Sequence, residues 1–167
     1  TSTRFLVDND GPTVSGLTLS DTFTGGPDAT DLDIAATVDD RKNGGSTVVA
    51  ARAWVGTSDD PTALAEIAPQ PLTTNGPRTV AAADGTFALA DLQGLDEGVH
   101  TLHVQGKDVH GHWGAVRSTT FTVDKTAPEI TSVSVVPAVT NGLNGSPAKP
   151  TTITVTAAIK DNASPIT

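Results

Sequence analysis

Apolar and polar residues alternate along several stretches of this chain, which is the pattern of a β-strand with one buried face. Leu32, Ile34, Ala36 and Val38 lie two residues apart, and the run ends at a pair of aspartates. No stretch of ten or more residues repeats with the period of about 3.6 that marks an amphipathic helix. The pattern therefore predicts an all-β protein. The other predicted strands carry Leu17 and Leu19 or cover residues 47–56, 79–90, 99–105 and 116–123.

Two segments interrupt this alternation. Residues 57–78 are polar and contain several prolines, so they predict a long connection with a short helical turn over 61–67. Ala83-Asp84-Gly85 is typical of a tight turn, so residues 79–90 are expected to form a hairpin or a bent strand. Some seven strands separated by turns are typical of a β-sandwich.

One residue pattern occurs twice in the chain. Residues 2–19 resemble residues 118–135, and residues 32–40 resemble residues 153–161. The first match has an offset of 116 residues and the second an offset of 121, because the linker between the two segments is longer in the second copy. Such a repeat is typical of tandem domains. It predicts three segments: the last strand of a preceding unit at 1–8, a complete unit at 9–124 and the first strands of a following unit at 125–167.

Charge and composition limit the partners. The net charge of −9 disfavours binding to nucleic acid or to an acidic membrane surface. No apolar run has the length of a membrane span. The chain has no cysteine, which excludes disulfides and thiolate metal sites and suits a protein that folds after export. The sequence therefore predicts an extracellular or cell-surface protein whose partners are neighbouring domains of the same polypeptide, without membrane insertion.

Several short motifs follow one another in an order typical of immunoglobulin-like domains. The segment LDEGVHTL at 95–102 has the layout Asp-x-Gly-x-Tyr-x-Cys of the strand F region, with His100 in place of Tyr and Leu102 in place of Cys. The other motifs are ADGTF at 83–87, GKDVHGHWG at 106–114 and VDKTAP at 123–128.

With these motifs the chain resembles the bacterial immunoglobulin-like repeats of secreted and surface proteins, over a full unit and both flanks. The resemblance implies an immunoglobulin-like or cadherin-like β-sandwich. It implies that His100 bonds back to the backbone of the preceding corner and that Trp54 is a core aromatic of the third strand. Gly111 would permit the turn after strand F, and Trp113 would cover the end of the sandwich. Those repeats often have asparagine where this chain has His112.

The histidines do not predict a transition-metal site. His100 and His103 have opposite parity on one strand, so their side chains point to opposite faces of the sheet. His110 and His112 could chelate an ion from a loop, but the sequence predicts no third ligand beside them.

The aspartates predict a calcium site instead. In an immunoglobulin-like sandwich three segments meet at one end: the incoming linker, the loop after strand B and the loop after strand F. In this chain strand B corresponds to residues 32–40 and strand F to residues 99–105. Ca²⁺ prefers six to eight oxygen ligands in flexible geometry. An ion bound there would stiffen the joint between consecutive domains. The candidate ligands are Asp8, Asp10, Asp39, Asp40 and Asp108.

The sequence contains no G-x-S-x-G elbow, no H-E-x-x-H motif and no marked pair of carboxylates, so a non-catalytic role is expected. The preferred function is that of a structural spacer or stalk domain in an extracellular multidomain protein, stiffened by calcium. Two alternatives stay open. The long connection at 57–78 suits a protein-binding or carbohydrate-binding module. The chain also suits an accessory domain of a secreted enzyme whose catalytic part lies elsewhere.

Overall fold

The protein is all-β. A computed structural model describes residues 7–26, 28–136 and 154–161. The chain divides into two compact units, Thr1–Lys125 and Thr126–Thr167. The described strands are β1 (Thr13–Leu19), β2 (Phe23–Thr24), β3 (Leu32–Asp39), β4 (Val48–Gly56), β5 (Ala65–Thr74), β6 (Val80–Phe87), β7 (Gly98–Asp108), β8 (Arg117–Val123), β9 (Glu129–Val136) and β10 (Thr154–Lys160), with one short helix, α1 (Leu89–Gln93).

The first unit is one curled sheet of eight strands in the order β1-β3-β6-β5-β4-β7-β8-β2. All neighbours are antiparallel except β2 and β8, which are parallel, so the sheet is mixed. The sheet curls until β1 lies close to β7 and β8 near its other edge. This all-β arrangement agrees with the class that the alternation predicts.

The segment predicted to be a long connection is largely a strand. β5 pairs with β4 along residues 65–72 and with β6 at residues 73–74, so it joins the two halves of the sheet. Only Ile67 and Leu72 are buried on β5, and their spacing does not alternate. The prediction of a loop was wrong because the strand lacks the period of two and contains prolines.

For residues 79–90 the sequence predicted a hairpin or a bent strand; the hairpin, with its turn at Ala83-Asp84-Gly85, was wrong, and a single strand is present. The three turn residues lie inside β6, which pairs with β3 without interruption from Val80 to Phe87. A side chain at Gly85 would collide with the side chain of Leu72 on β5. This glycine therefore permits close packing between neighbouring strands rather than a turn.

The core of the first unit lies inside the curl of the sheet. Its buried side chains come mainly from alternate positions of β3, β4, β6, β7 and β8, and include Ile34, Val38, Val55 and Phe121. Helix α1, which the periodicity did not predict, buries Leu92. A helix of five residues is too short to give a periodic signal.

In the second unit β9 and β10 form an antiparallel pair whose residues are exposed throughout. Its register matches that of the β1–β3 pair on either side of an irregularity, at which each register shifts by one residue. The irregularity lies between Ser15 and Thr18 in β1 and between Ala158 and Ile159, near the end of β10. The corresponding pairs are Val14–Val38 and Leu19–Ile34 in the first unit, and Ile130–Ile159 and Val135–Val155 in the second.

Candidate functional site: the entry end of the first unit

The residues before β1 pack tightly against the β7–β8 loop, and we call residues 7–12 the entry segment. A side chain at Gly11 would overlap the backbone of Trp113 and Gly114, and a side chain at Gly114 would overlap Pro12. Asn43 adds a hydrogen bond from its side-chain amide to the Gly11 carbonyl oxygen, at 2.8 Å. The entry segment is therefore fixed by two different loops of the first unit.

This packing brings together three side chains that could hold a metal ion. One ligand atom each from Asp8, Asp108 and His112 lies within 4.8 Å of the other two. Asp8 belongs to the entry segment, Asp108 ends β7, and His112 belongs to the β7–β8 loop. We call these three residues the entry cluster.

Asp108 holds the β7–β8 loop in shape. Its side chain is fully buried, and its Oδ1 accepts a hydrogen bond from the His112 backbone N–H at 2.8 Å. Its Oδ2 lies 3.1 Å from His112 Nδ1. Burial raises the pKa of Asp108, but the hydrogen bonds from His112 outweigh burial and hold the pKa below its ordinary value. Asp108 is therefore a carboxylate at neutral pH.

Asp8 is in a different situation. Both of its carboxylate oxygens are buried, and neither forms a hydrogen bond with the residues that the structure describes. The carboxyl group lies against Gly44, where any side chain would collide with it. Gly44 also has φ +119°, a conformation that side chains disfavour. The β3–β4 loop therefore leaves room for the Asp8 carboxylate and provides no donor for it.

Asp40 fixes the loop that contains Gly44. It is completely buried, and its Oδ2 accepts hydrogen bonds from the backbone N–H and the hydroxyl group of Ser46, at 2.5 and 2.8 Å. Its carbonyl oxygen accepts from Asn43 and Gly45. Its Oδ1 is buried without a hydrogen bond in the described part of the chain. Asp40 thus acts on the entry cluster indirectly, by positioning Gly44.

The other two expected calcium ligands do not join the entry cluster. Asp39 forms an ion pair with Arg41 at 2.6 Å, and the Arg41 guanidinium lowers the pKa of Asp39 to about 2. Asp10 is exposed at the surface of the entry segment. Of the five aspartates predicted as ligands, Asp8 and Asp108 come together, and His112 joins them. The spacing Asp108-x-x-Gly-His112 was the available signal, since a turn at Gly111 returns the chain to Asp108.

His100 and His103 lie on opposite faces of β7. His100 Nε2 is 2.8 Å from the carbonyl oxygen of Asp96, the corner contact that the immunoglobulin-like layout implies, and its Nδ1 is 2.8 Å from Glu66. His103 instead stacks on Trp54, with ring centroids 5.2 Å apart.

Trp54 is fully buried but is separate from the main core. It alternates with core residues of β4, so it lies on the outer face of the sheet, where its ring N–H donates to the Ser58 carbonyl oxygen at 3.1 Å. The loop after β4 therefore covers it. Trp54 was expected to be a core aromatic, but it is buried outside the main hydrophobic core.

Gly111 and Trp113 complete the β7–β8 loop. Gly111 has φ +97°, which a turn with glycine adopts readily. The Arg52 guanidinium lies 3.8 Å from the ring centroid of Trp113 and 5.7 Å from that of Trp54, and the Lys107 ammonium lies 5.4 Å from the Trp113 ring. These cation–π contacts fix the loop to β4 and β7.

Comparison with models of protein families and with curated proteins finds no match for this chain. The described residues include no helix with the length and apolarity of a membrane span.

Proposed function

We propose that the first unit is a non-catalytic, immunoglobulin-like spacer domain of an extracellular multidomain protein. The observation that carries this proposal is the second copy of the β1–β3 pair. β9 and β10 repeat its strand order and its register at the sequence offsets of the internal repeat. Sequence segments that repeat with one register are typical of tandem units of one architecture.

The contacts of the entry segment support a mechanical role. In a tandem array this segment connects the last strand of one unit to the first strand of the next. Here it is held by Asn43 and by close backbone packing at Gly11 and Gly114. A connector fixed in this way limits bending between consecutive domains. The extracellular location, the immunoglobulin-like identity and the non-catalytic role belong to the same proposal and are supported by the motifs.

Small-angle X-ray scattering on tandem proteins tests the spacer role. Copies of residues 9–124 are joined head to tail, so that Asp124 of one copy stands where Asp8 precedes the next unit. One, two and three copies are compared. A stiff spacer should gain the same length with each added copy, because the joint is fixed. A maximum dimension that hardly grows from one copy to three contradicts the proposal.

A matched control weakens the connector alone. Asn43→Ala removes the amide that bonds to the Gly11 carbonyl oxygen. It should make the joints of the three-copy protein more flexible. The maximum dimension of the single copy should stay unchanged, because a single copy contains no joint. A search with glycan arrays and pull-downs accompanies the scattering. A ligand that binds one copy specifically would favour the binding module instead.

A further inference from the structure

The entry cluster contains two neighbouring carboxyl groups, and one of them has no hydrogen-bond donor in the described part of the chain. Asp8 and Asp108 place two carboxylates within 4.8 Å of each other, and the oxygens of Asp8 are buried without a hydrogen-bond donor among the described residues. A buried carboxylate without donors is costly, and a second carboxylate beside it increases the cost. A positive charge between them removes both penalties.

The geometry of the Asp108–His112 contact suits two ligands of one ion. Asp108 Oδ2 and His112 Nδ1 are 3.1 Å apart. Two ligands that each lie about 2.0–2.2 Å from a Zn²⁺ ion are separated by roughly 3–3.5 Å. The backbone N–H of His112 also holds the other oxygen of Asp108, so this half of the cluster is positioned in advance.

The kinds of ligand atoms distinguish between cations. Ca²⁺ and Mg²⁺ take oxygen ligands, and Ca²⁺ needs six to eight of them. The entry cluster offers one imidazole and two carboxylates. Imidazole together with carboxylate suits Zn²⁺ and similar transition-metal ions, with water in the remaining position.

We propose that Asp8, Asp108 and His112 bind one transition-metal dication of the Zn²⁺ class, which fastens the entry segment to the β7–β8 loop. The ligands favour this ion over the calcium expected from the sequence. The entry cluster contains the imidazole of His112 and lacks the carboxylates of Asp10, Asp39 and Asp40. Asp8 is the ligand that couples the ion to the connector, since it belongs to the entry segment. The site does not depend on the spacer role, so either proposal can fail without the other.

Metal titration of the 167-residue chain tests this proposal. After treatment with a chelator and its removal, Zn²⁺ is added and binding is followed by calorimetry and by the thermal unfolding midpoint. One ion should bind per chain, and the midpoint should rise by several degrees, because an ion that binds the folded state stabilises it. Ca²⁺ and Mg²⁺ at the same concentrations should raise it far less.

Matched variants separate the cluster from its surroundings. Asp8→Asn and His112→Ala should weaken Zn²⁺ binding at least about ten-fold. Asp10→Asn and His110→Ala change the same residue types two positions away, at exposed positions outside the cluster, and should leave binding unchanged. Asp8→Asn keeps the shape of the carboxyl group, so it is informative even if His112→Ala disturbs the loop.

Two spectroscopic readouts complete the test. Co²⁺ used in place of Zn²⁺ should give visible absorption bands that the His112→Ala variant loses. Hydrogen exchange should slow in the entry segment on addition of Zn²⁺ in the wild type and stay fast in Asp8→Asn. Slow exchange in this segment would show that the ion binds the entry segment as well as the β7–β8 loop.

Three outcomes would overturn the proposal. The first is an unchanged midpoint with every cation, which shows that none of them binds the entry cluster. The second is a larger effect of Ca²⁺ than of Zn²⁺, which restores the calcium expectation. The third is an equal loss of binding in His110→Ala and His112→Ala, which indicates adventitious binding to surface histidines.

Discussion

The β1–β3 pair and the β9–β10 pair have the same register but different surroundings. On β3, Ile34 and Val38 are almost completely buried. On β10 the equivalent residues Val155 and Ile159 are exposed by 63% and 47%, respectively. The two strand pairs have the same spacing of apolar residues, but these residues are buried in the first unit and exposed in the second. Register thus follows from local sequence, whereas the stability gained from an apolar face depends on what packs against it.

Hydrogen exchange should show the largest difference between the two pairs. Amides of β3 are expected to exchange only on global unfolding, which for a stability of about 5 kcal/mol slows exchange by roughly four orders of magnitude. Amides of β10 should be slowed less than about ten-fold, because a two-stranded hairpin is marginally stable in water. Residue-resolved NMR exchange measures both strands in one sample. Equal protection in β3 and β10 would contradict the comparison.

A matched pair of core substitutions should give the next largest effect. Ile34→Ala is expected to lower the free energy of unfolding of the first unit by about 2–5 kcal/mol, because it removes buried methyl groups. Val155→Ala, at the equivalent exposed position, should change it by less than about 0.5 kcal/mol. Urea unfolding followed by tryptophan fluorescence reports on the first unit alone, since Trp54 and Trp113 both lie in it. Similar costs for the two variants would show that burial does not separate the pairs.

The irregularity in the two pairs offers a smaller contrast. Gly16 in β1 has φ +59°. Ser132 takes its place in β9, and no described residue other than glycine has positive φ. Gly16→Ser should therefore cost about 1–2 kcal/mol by forcing a side chain into the left-handed region. Ser132→Gly should leave urea unfolding of the first unit unaffected. A Gly16→Ser variant with unchanged stability would mean that β1 adopts the backbone of β9 at no cost.

The smallest contrast is electrostatic. Asp39 on β3 corresponds to Lys160 on β10. The pKa of Asp39 is lowered to about 2 by its hydrogen bonds with Arg41. A lowered pKa stabilises the fold above the ordinary value of 3.8, and this stabilisation is lost as the pH falls through about 2.

Arg41→Gln should raise the pKa of Asp39 towards 3.8 and have little effect on stability at neutral pH, because the pair is exposed. An NMR titration of the Asp39 carboxyl group measures the shift. An unchanged pKa in the variant would show that the backbone hydrogen bond alone lowers it.

The sequence predicts most of the strands and the repeat, because these depend on the spacing of apolar residues along one strand. It does not predict β5, where only Ile67 and Leu72 are buried. The turn predicted at Gly85 was wrong, because this glycine leaves space for the side chain of Leu72 on the neighbouring strand. The position of Asp8 depends on Gly44 and on the β7–β8 loop, which lie far away in sequence. Contacts among three loops do not follow from periodicity, so His112 was missed as a partner of Asp108.

The edges of the eight-stranded sheet have a consequence for crowded surroundings. One edge is β1, which is interrupted where its register shifts after Ser15, and the other is β2, which is only two residues long. Continuous flat edges allow strands of different molecules to join and aggregate. Neither edge offers such a row, so the eight-stranded sheets of separate molecules lack a ready site for joining edge to edge even at high concentration.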